Sequence, residues 1–64
     1  MDFEGRLKEL RQEHQLSQFD LAEILDVHTI MVSRWERGIN SPSIRDIANM
    51  ADLFGVSSDY LLGI

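Results

Sequence analysis

The sequence predicts an all-α fold of five short, compactly packed helices, and three observations lead there. Apolar residues recur at helical spacing through most of the chain, and no alternating run of strand type occurs. Ser17 and Ser43 are each followed three residues later by an aspartate, Asp20 and Asp46, a pattern that satisfies the free amides at a helix start. Gly38, Gly55 and Gly63 follow three of the periodic segments, where glycine stops a helix by entering the left-handed conformation without steric cost.

The elements follow in order. Residues 2–13 form the first helix, with Phe3, Leu7, Leu10 and part of Arg11 on one stripe and charged or polar residues around it. Asp2 and Glu4 sit near its positive end, where carboxylates are favoured. His14 and Gln15 break the period, and Leu16 packs as the chain turns. Residues 18–25 form the second helix, with Leu21, Ala22 and Leu25 at helical spacing, and Val27 plugs the junction that follows. Residues 28–37 form the third, turning Val32 and Trp35 inward. A loop over residues 39–43 ends at Pro42, before which helical backbone is disfavoured. Residues 44–54 form the fourth helix, burying Ile44, Ile47, Ala51 and Phe54, with Ala48 and Met50 as lesser members of that face. Residues 57–62 form a short fifth helix whose Tyr60, Leu61 and Leu62 fold back on the core.

A chain of 64 residues has room for one core, so residues 1–64 read as one domain. Its margin of stability is thin, and with no cysteine no disulfide adds to it. Hydrophobic residues at 44% and charged residues at 27% indicate a soluble globular protein. No apolar run approaches the roughly 20 residues that span a bilayer. The charged N-terminus is unlike a signal peptide, which points to the cytoplasm and away from a membrane partner. His14 and His28 lack metal-ligand spacing with any partner, so no metal is expected. There is no Ser/His/Asp or Cys/His set and no glycine-rich phosphate loop, which sets enzymes and bound cofactors aside.

The net charge of −5 is unevenly spread. Residues 28–45 carry Arg34, Arg37 and Arg45 against Glu36 alone, a balance of +2. The remainder sets Arg6, Lys8 and Arg11 against ten acids, a balance of −7. A polyanion would therefore meet attraction over that segment only.

The stretch from Ser17 to Gly38, SQFDLAEILDVHTIMVSRWERG, reads as two helices joined by a tight turn. Its SQxxLAxxLxV and VSRWERG pieces, with RLKELR at 6–11 before them and SSDYLLG at 57–63 after, resemble the Cro/repressor-type (Xre-like) helix-turn-helix family of bacterial and phage regulators. The resemblance covers the whole chain and implies a lambda-repressor-like DNA-binding domain in the bacterial cytoplasm or nucleoid. The third helix would then enter the major groove of double-stranded DNA. The chain departs from the family at three places. Asp26 stands where glycine is usual, the turn at His14-Gln15 also lacks a glycine, and His28 replaces the common serine or threonine cap. Aspartate tolerates a left-handed backbone better than most residues, so the turn at Asp26 is expected to hold at lower stability.

The resemblance also implies roles for particular residues. Thr29, Ile30, Ser33 and Arg34 would face base edges. The fork of Arg34 can hold guanine O6 and N7 together, and Ile30 can only touch an apolar group such as a thymine methyl. Gln18 matches a glutamine that holds a backbone phosphate in relatives, while Arg37, Asn40 and Ser41 would flank the groove and His28 would lie at its rim. Arg11 and Glu36 match a buried ion pair joining the first and third helices. Trp35 is assigned to the core rather than to base stacking, and Arg6, Lys8 and Arg45 to solvated surface. Val56, Ser58 and Leu62 mark the region through which relatives pair.

Two functions from different classes follow. The first is a sequence-specific DNA-binding domain of a transcriptional regulator, a repressor of phage or mobile-element type that binds a palindromic operator as a homodimer. Relatives often carry a C-terminal oligomerisation domain beyond such a segment. The second is an anti-repressor-like module that uses the third-helix face to bind another regulator, in keeping with the acidic balance and with apolar Phe19, Ile30 and Met31.

Overall fold

The first amides of a helix have no partner inside it, and in this chain short polar side chains take over that duty almost everywhere. The computed structural model describes residues 2–64; Met1, part of the domain 1–64 read from the sequence, lies outside the described residues. Asp2 caps α1 (Phe3–Glu13) by accepting from the Gly5 amide at 2.9 Å. Ser17 caps α2 (Gln18–Leu25) in a reciprocal box: its hydroxyl accepts from the Asp20 amide at 2.9 Å, and its own amide donates to the Asp20 carboxylate at 3.0 Å. α3 (Thr29–Glu36) starts at His28, whose side chain makes no capping bond. Ser43 caps α4 (Ile44–Phe54) and Ser57 caps α5 (Ser58–Leu62), each through its hydroxyl. Three helices thus start one residue later than their sequence period, at residues 3, 29 and 58, because Asp2, His28 and Ser57 serve as caps with extended backbone. Arg37 likewise lies one residue past the end of α3.

All five elements are helices, and no strand occurs among the described residues. α3 packs on α2 and α1, α5 closes on α1 and α4, and α4 also touches α2. One core lies between them, built from Leu7 and Leu10 of α1, Leu21, Ala22 and Leu25 of α2, Val32 and Trp35 of α3, Met50, Ala51 and Phe54 of α4, and Leu61 of α5. Leu16, Val27, Met31 and Ile47 pack partly buried against it. The Trp35 indole N–H is buried with no hydrogen-bond partner. Such an orphan costs about 1–3 kcal/mol, less than the roughly 3–5 kcal/mol that removing a buried tryptophan loses, so burial wins. No helix among the described residues is long and apolar enough to cross a membrane.

The fourth and fifth helices correct the sequence reading. Ile44 is 90% exposed and Ala48 is exposed, while Met50 is fully buried. The inward stripe of α4 is Ile47, Met50, Ala51 and Phe54, spaced i, i+3, i+4, i+7. Ile44 opens the helix, where no other helix covers it. In α5 only Leu61 is buried, and Tyr60 and Leu62 are exposed. Successive helical residues diverge by about 100°, so a five-residue helix on one core offers a single fully inward position.

Arg6 is not simply solvated surface. Its guanidinium lies over the Tyr60 ring, and its Nε is buried without a hydrogen-bond partner. His14 also does more than break a period: its Nδ1 donates to the Leu10 carbonyl at 2.9 Å, and its ring sits 5.0 Å from that of Phe54.

Candidate nucleic-acid interface

The turn between α2 and α3 fixes how α3 is presented. Asp26 ends α2 with φ +58°, in the left-handed region, and the Val27 amide donates back to the Ala22 carbonyl at 3.0 Å. Val27 drops half-buried against the core, and His28 starts α3 with its carbonyl accepting from the Met31 amide at 2.9 Å. Val32 and Trp35 then seat α3 on the core.

The opposite side of α3 is free. Thr29, Ile30 and Arg34 are exposed, Ile30 by 50%, and Ser33 is half-buried. Thr29 with Ser33, and Ile30 with Arg34, are i, i+4 pairs, so the four side chains form two short columns one helical turn long. The structure therefore brings these four together on one helix. His28 is exposed at the start of this face. Arg37 is exposed at its far end, with Nε donating to the Ser33 carbonyl at 3.3 Å. Asn40 is half-buried and Ser41 exposed in the loop that follows, beyond the left-handed turn at Gly38.

Behind this face lies a polar junction. Arg11 Nε donates to Glu36 Oε2 at 2.6 Å, and its second nitrogen donates to Oε1 at 3.1 Å, a fork-on-carboxylate geometry. The remaining Arg11 terminal nitrogen donates to the Leu16 carbonyl at 2.7 Å. Both side chains are withdrawn from water, Glu36 to 4% exposure and Arg11 to 11%. The hydrogen bond to Glu36 is the chief reason the Arg11 guanidinium holds its proton more tightly than usual. Gln18, half-buried at the first position of α2, donates from Nε2 to Glu36 Oε1 at 3.2 Å. The sequence reading did not contain this contact. Gln18 and Glu36 lie 18 positions apart, and no helical period links the start of one helix to the end of the next.

Phe19 is 59% exposed and Ile30 is exposed, but Met31 packs against the core. At the start of α2, the Asp20 carboxyl is held below the usual carboxylate range, first by the Ser17 backbone amide and then by its hydroxyl. It remains an anion there at neutral pH.

Comparison with known proteins bears on the family and the fold. The family model described as helix-turn-helix matches residues 7–61. The chain is 36% identical over 63 residues to the HTH-type transcriptional regulator ImmR of Bacillus subtilis, covering 98% of this chain and 50% of ImmR. It is 36% identical over 62 residues to the HTH-type transcriptional activator BcrR of Enterococcus faecalis, covering 97% of this chain and 30% of BcrR. It thus spans half or less of the length of these two curated relatives. A transcriptional regulator from Listeria innocua superposes with a TM-score of 0.94 at 33% identity, over 98% of this chain and 59% of that one. The P22 c2 repressor, crystallised with synthetic operator 9T, shares the fold, with a TM-score of 0.90 at 24% identity over 97% and 94% of the two chains.

Proposed function

The chain belongs to the helix-turn-helix family, and from that membership we propose that it is a sequence-specific DNA-binding domain of a transcriptional regulator, with α3 as the helix that enters the major groove. One observation carries the reading: exposed Thr29, Ile30 and Arg34, with half-buried Ser33 beside them, stand on a helix whose other side is locked to the core by Val32 and Trp35. A helix so held presents a fixed set of side chains to base edges. Arg34 reads guanine through O6 and N7, Thr29 and Ser33 hydrogen-bond base edges, and Ile30 meets a thymine methyl. Gln18, His28, Arg37, Asn40 and Ser41 hold phosphates on either side and set the register.

One such domain buries too little surface for tight binding, so the functional unit is a homodimer on a palindromic operator. We assign it to repressors of phage or mobile-element type, working in the bacterial cytoplasm. A second reading, docking of a protein partner on the same face, has the exposure of Phe19 and Ile30 in its favour.

Selection from a random duplex pool, followed by titration of the winner at two salt concentrations, separates the two. Enrichment of a palindrome, with affinity falling as salt rises, supports the DNA reading. Failure to enrich any sequence, even with the folded chain fused to a dimeriser, moves the assignment to the protein partner.

A further inference from the structure

We infer that Glu36 is a positioning residue for DNA binding: it orients the Gln18 carboxamide that contacts a phosphate. The inference rests on the DNA reading of the same face and adds a role for a residue that touches no DNA. Its basis is that one carboxylate serves two partners. Glu36 Oε1 accepts from Arg11 at 3.1 Å and from Gln18 Nε2 at 3.2 Å, while Oε2 is taken by Arg11 Nε.

An ionised carboxylate only accepts, so the end of the Gln18 amide that faces it must be the NH2. This settles which way the amide points. One N–H is held by Glu36, and the planar geometry of the amide directs the other away from that carboxylate. A phosphate oxygen also only accepts, so the free N–H is the end it needs. Without the anchor a half-buried glutamine samples several rotamers, and binding would have to freeze them. Arg11 makes the arrangement tolerable, because a buried charge at 4% exposure is strongly destabilising unless it is paired. The pair that locks α1 to α3 thereby also sets a contact residue on α2. Glutamate at position 18 would place two carboxylates together, and a shorter side chain would not span the gap.

The other two glutamines, Gln12 and Gln15, are exposed and have no such partner among the described residues, which makes them internal controls. In side-chain amide relaxation measurements on the unaltered chain, Gln18 Nε2 should be rigid while the Gln12 and Gln15 amides are mobile. Equal mobility of all three overturns the proposal, and this arm needs no variant to fold.

The second arm is a double-mutant cycle of Glu36→Gln and Gln18→Ala, read as affinity for the selected duplex. Gln18→Ala should weaken binding on the order of ten-fold, with unchanged base preference, since a phosphate contact carries no sequence information. Glu36→Gln should weaken binding by a factor about five larger when Gln18 is present than in the Gln18→Ala background. Equal factors in both backgrounds mean that Glu36 acts only on the fold, and overturn the positioning role while leaving the DNA reading intact. An unaltered chain that binds no duplex overturns the DNA reading, and this proposal with it.

Discussion

The guanidinium of Arg6 lies 3.8 Å from the centre of the Tyr60 ring, clamping α5 to α1 through a cation on an aromatic face. With Tyr60 substantially exposed, such a contact contributes about 0.5–1 kcal/mol. The ring face carries it and the hydroxyl does not, so Tyr60→Phe should unfold at the same urea midpoint as the parent. Tyr60→Leu should unfold earlier, by about that energy. A leucine variant as stable as the phenylalanine variant would show the clamp to be idle.

The Arg11–Glu36 pair should weigh far more. Removing Glu36 leaves the Arg11 guanidinium stranded at 11% exposure, and Glu36→Ala should lower the unfolding free energy by roughly 3–5 kcal/mol. Replacing both residues by apolar ones of similar size should restore most of the loss. Denaturant unfolding of the single and double variants checks both statements, and a Glu36→Ala chain that melts with the parent contradicts the pairing.

Two turns are made without glycine although their backbone asks for it. Gln15 and Asp26 both have φ +58°. A left-handed residue with a Cβ is strained by roughly 1–2 kcal/mol, less for aspartate, and glycine's entropy in the unfolded chain returns part of the gain. Gln15→Gly should therefore stabilise by about 0.5–1 kcal/mol and Asp26→Gly by less. Thermal melting of the two variants tests that order, and a reversal of it contradicts the strain argument.

Asp20 gives the fold a dependence on acid. The Ser17 amide and hydroxyl depress its folded pKa, so its contribution is present above the unfolded value and is lost as pH falls through the folded one. Arg11 shifts the other way: its contribution is fully present below the unfolded value and is lost as pH rises through the raised folded one, far above the neutral range. Parent and Asp20→Asn should accordingly differ in Tm at neutral pH and converge below about pH 4, the ordinary aspartate range. A gap that persists into strong acid rules this origin out.

On DNA, Arg34 is the sharpest test of direct readout. Arg34→Ala should relax preference at one operator position per half-site and weaken binding by about 1–3 kcal/mol. Repeating the duplex selection with the variant measures both. An unchanged sequence preference removes Arg34 from the reading set.

Much of this architecture was legible because it is local. A serine three residues before an aspartate builds a cap wherever it occurs, so Ser17 and Ser43 announced α2 and α4. What was hidden is what one element does to another. Ile44 has the right period for the face of α4 but opens the helix beyond its cover, and Met50, ranked below it, is fully buried. The outward side of α3 could be read from spacing once Val32 and Trp35 pointed inward. The tie from Gln18 to Glu36 could not, since it depends on how α2 and α3 cross.

The split between +2 over residues 28–45 and −7 elsewhere leaves the charge uneven along the chain and its net sign wrong for a polyanion. Approaching one, it feels a torque before it feels a pull. The long-range force is repulsive, while attraction to exposed Arg34, Arg37 and Arg45 turns that segment inward. Ions confine both effects to separations of about 8 Å at physiological ionic strength, so the rotation is decided in the last instants of an encounter. A domain charged this way dwells briefly on arbitrary surfaces, yet the collisions that do occur are already aimed.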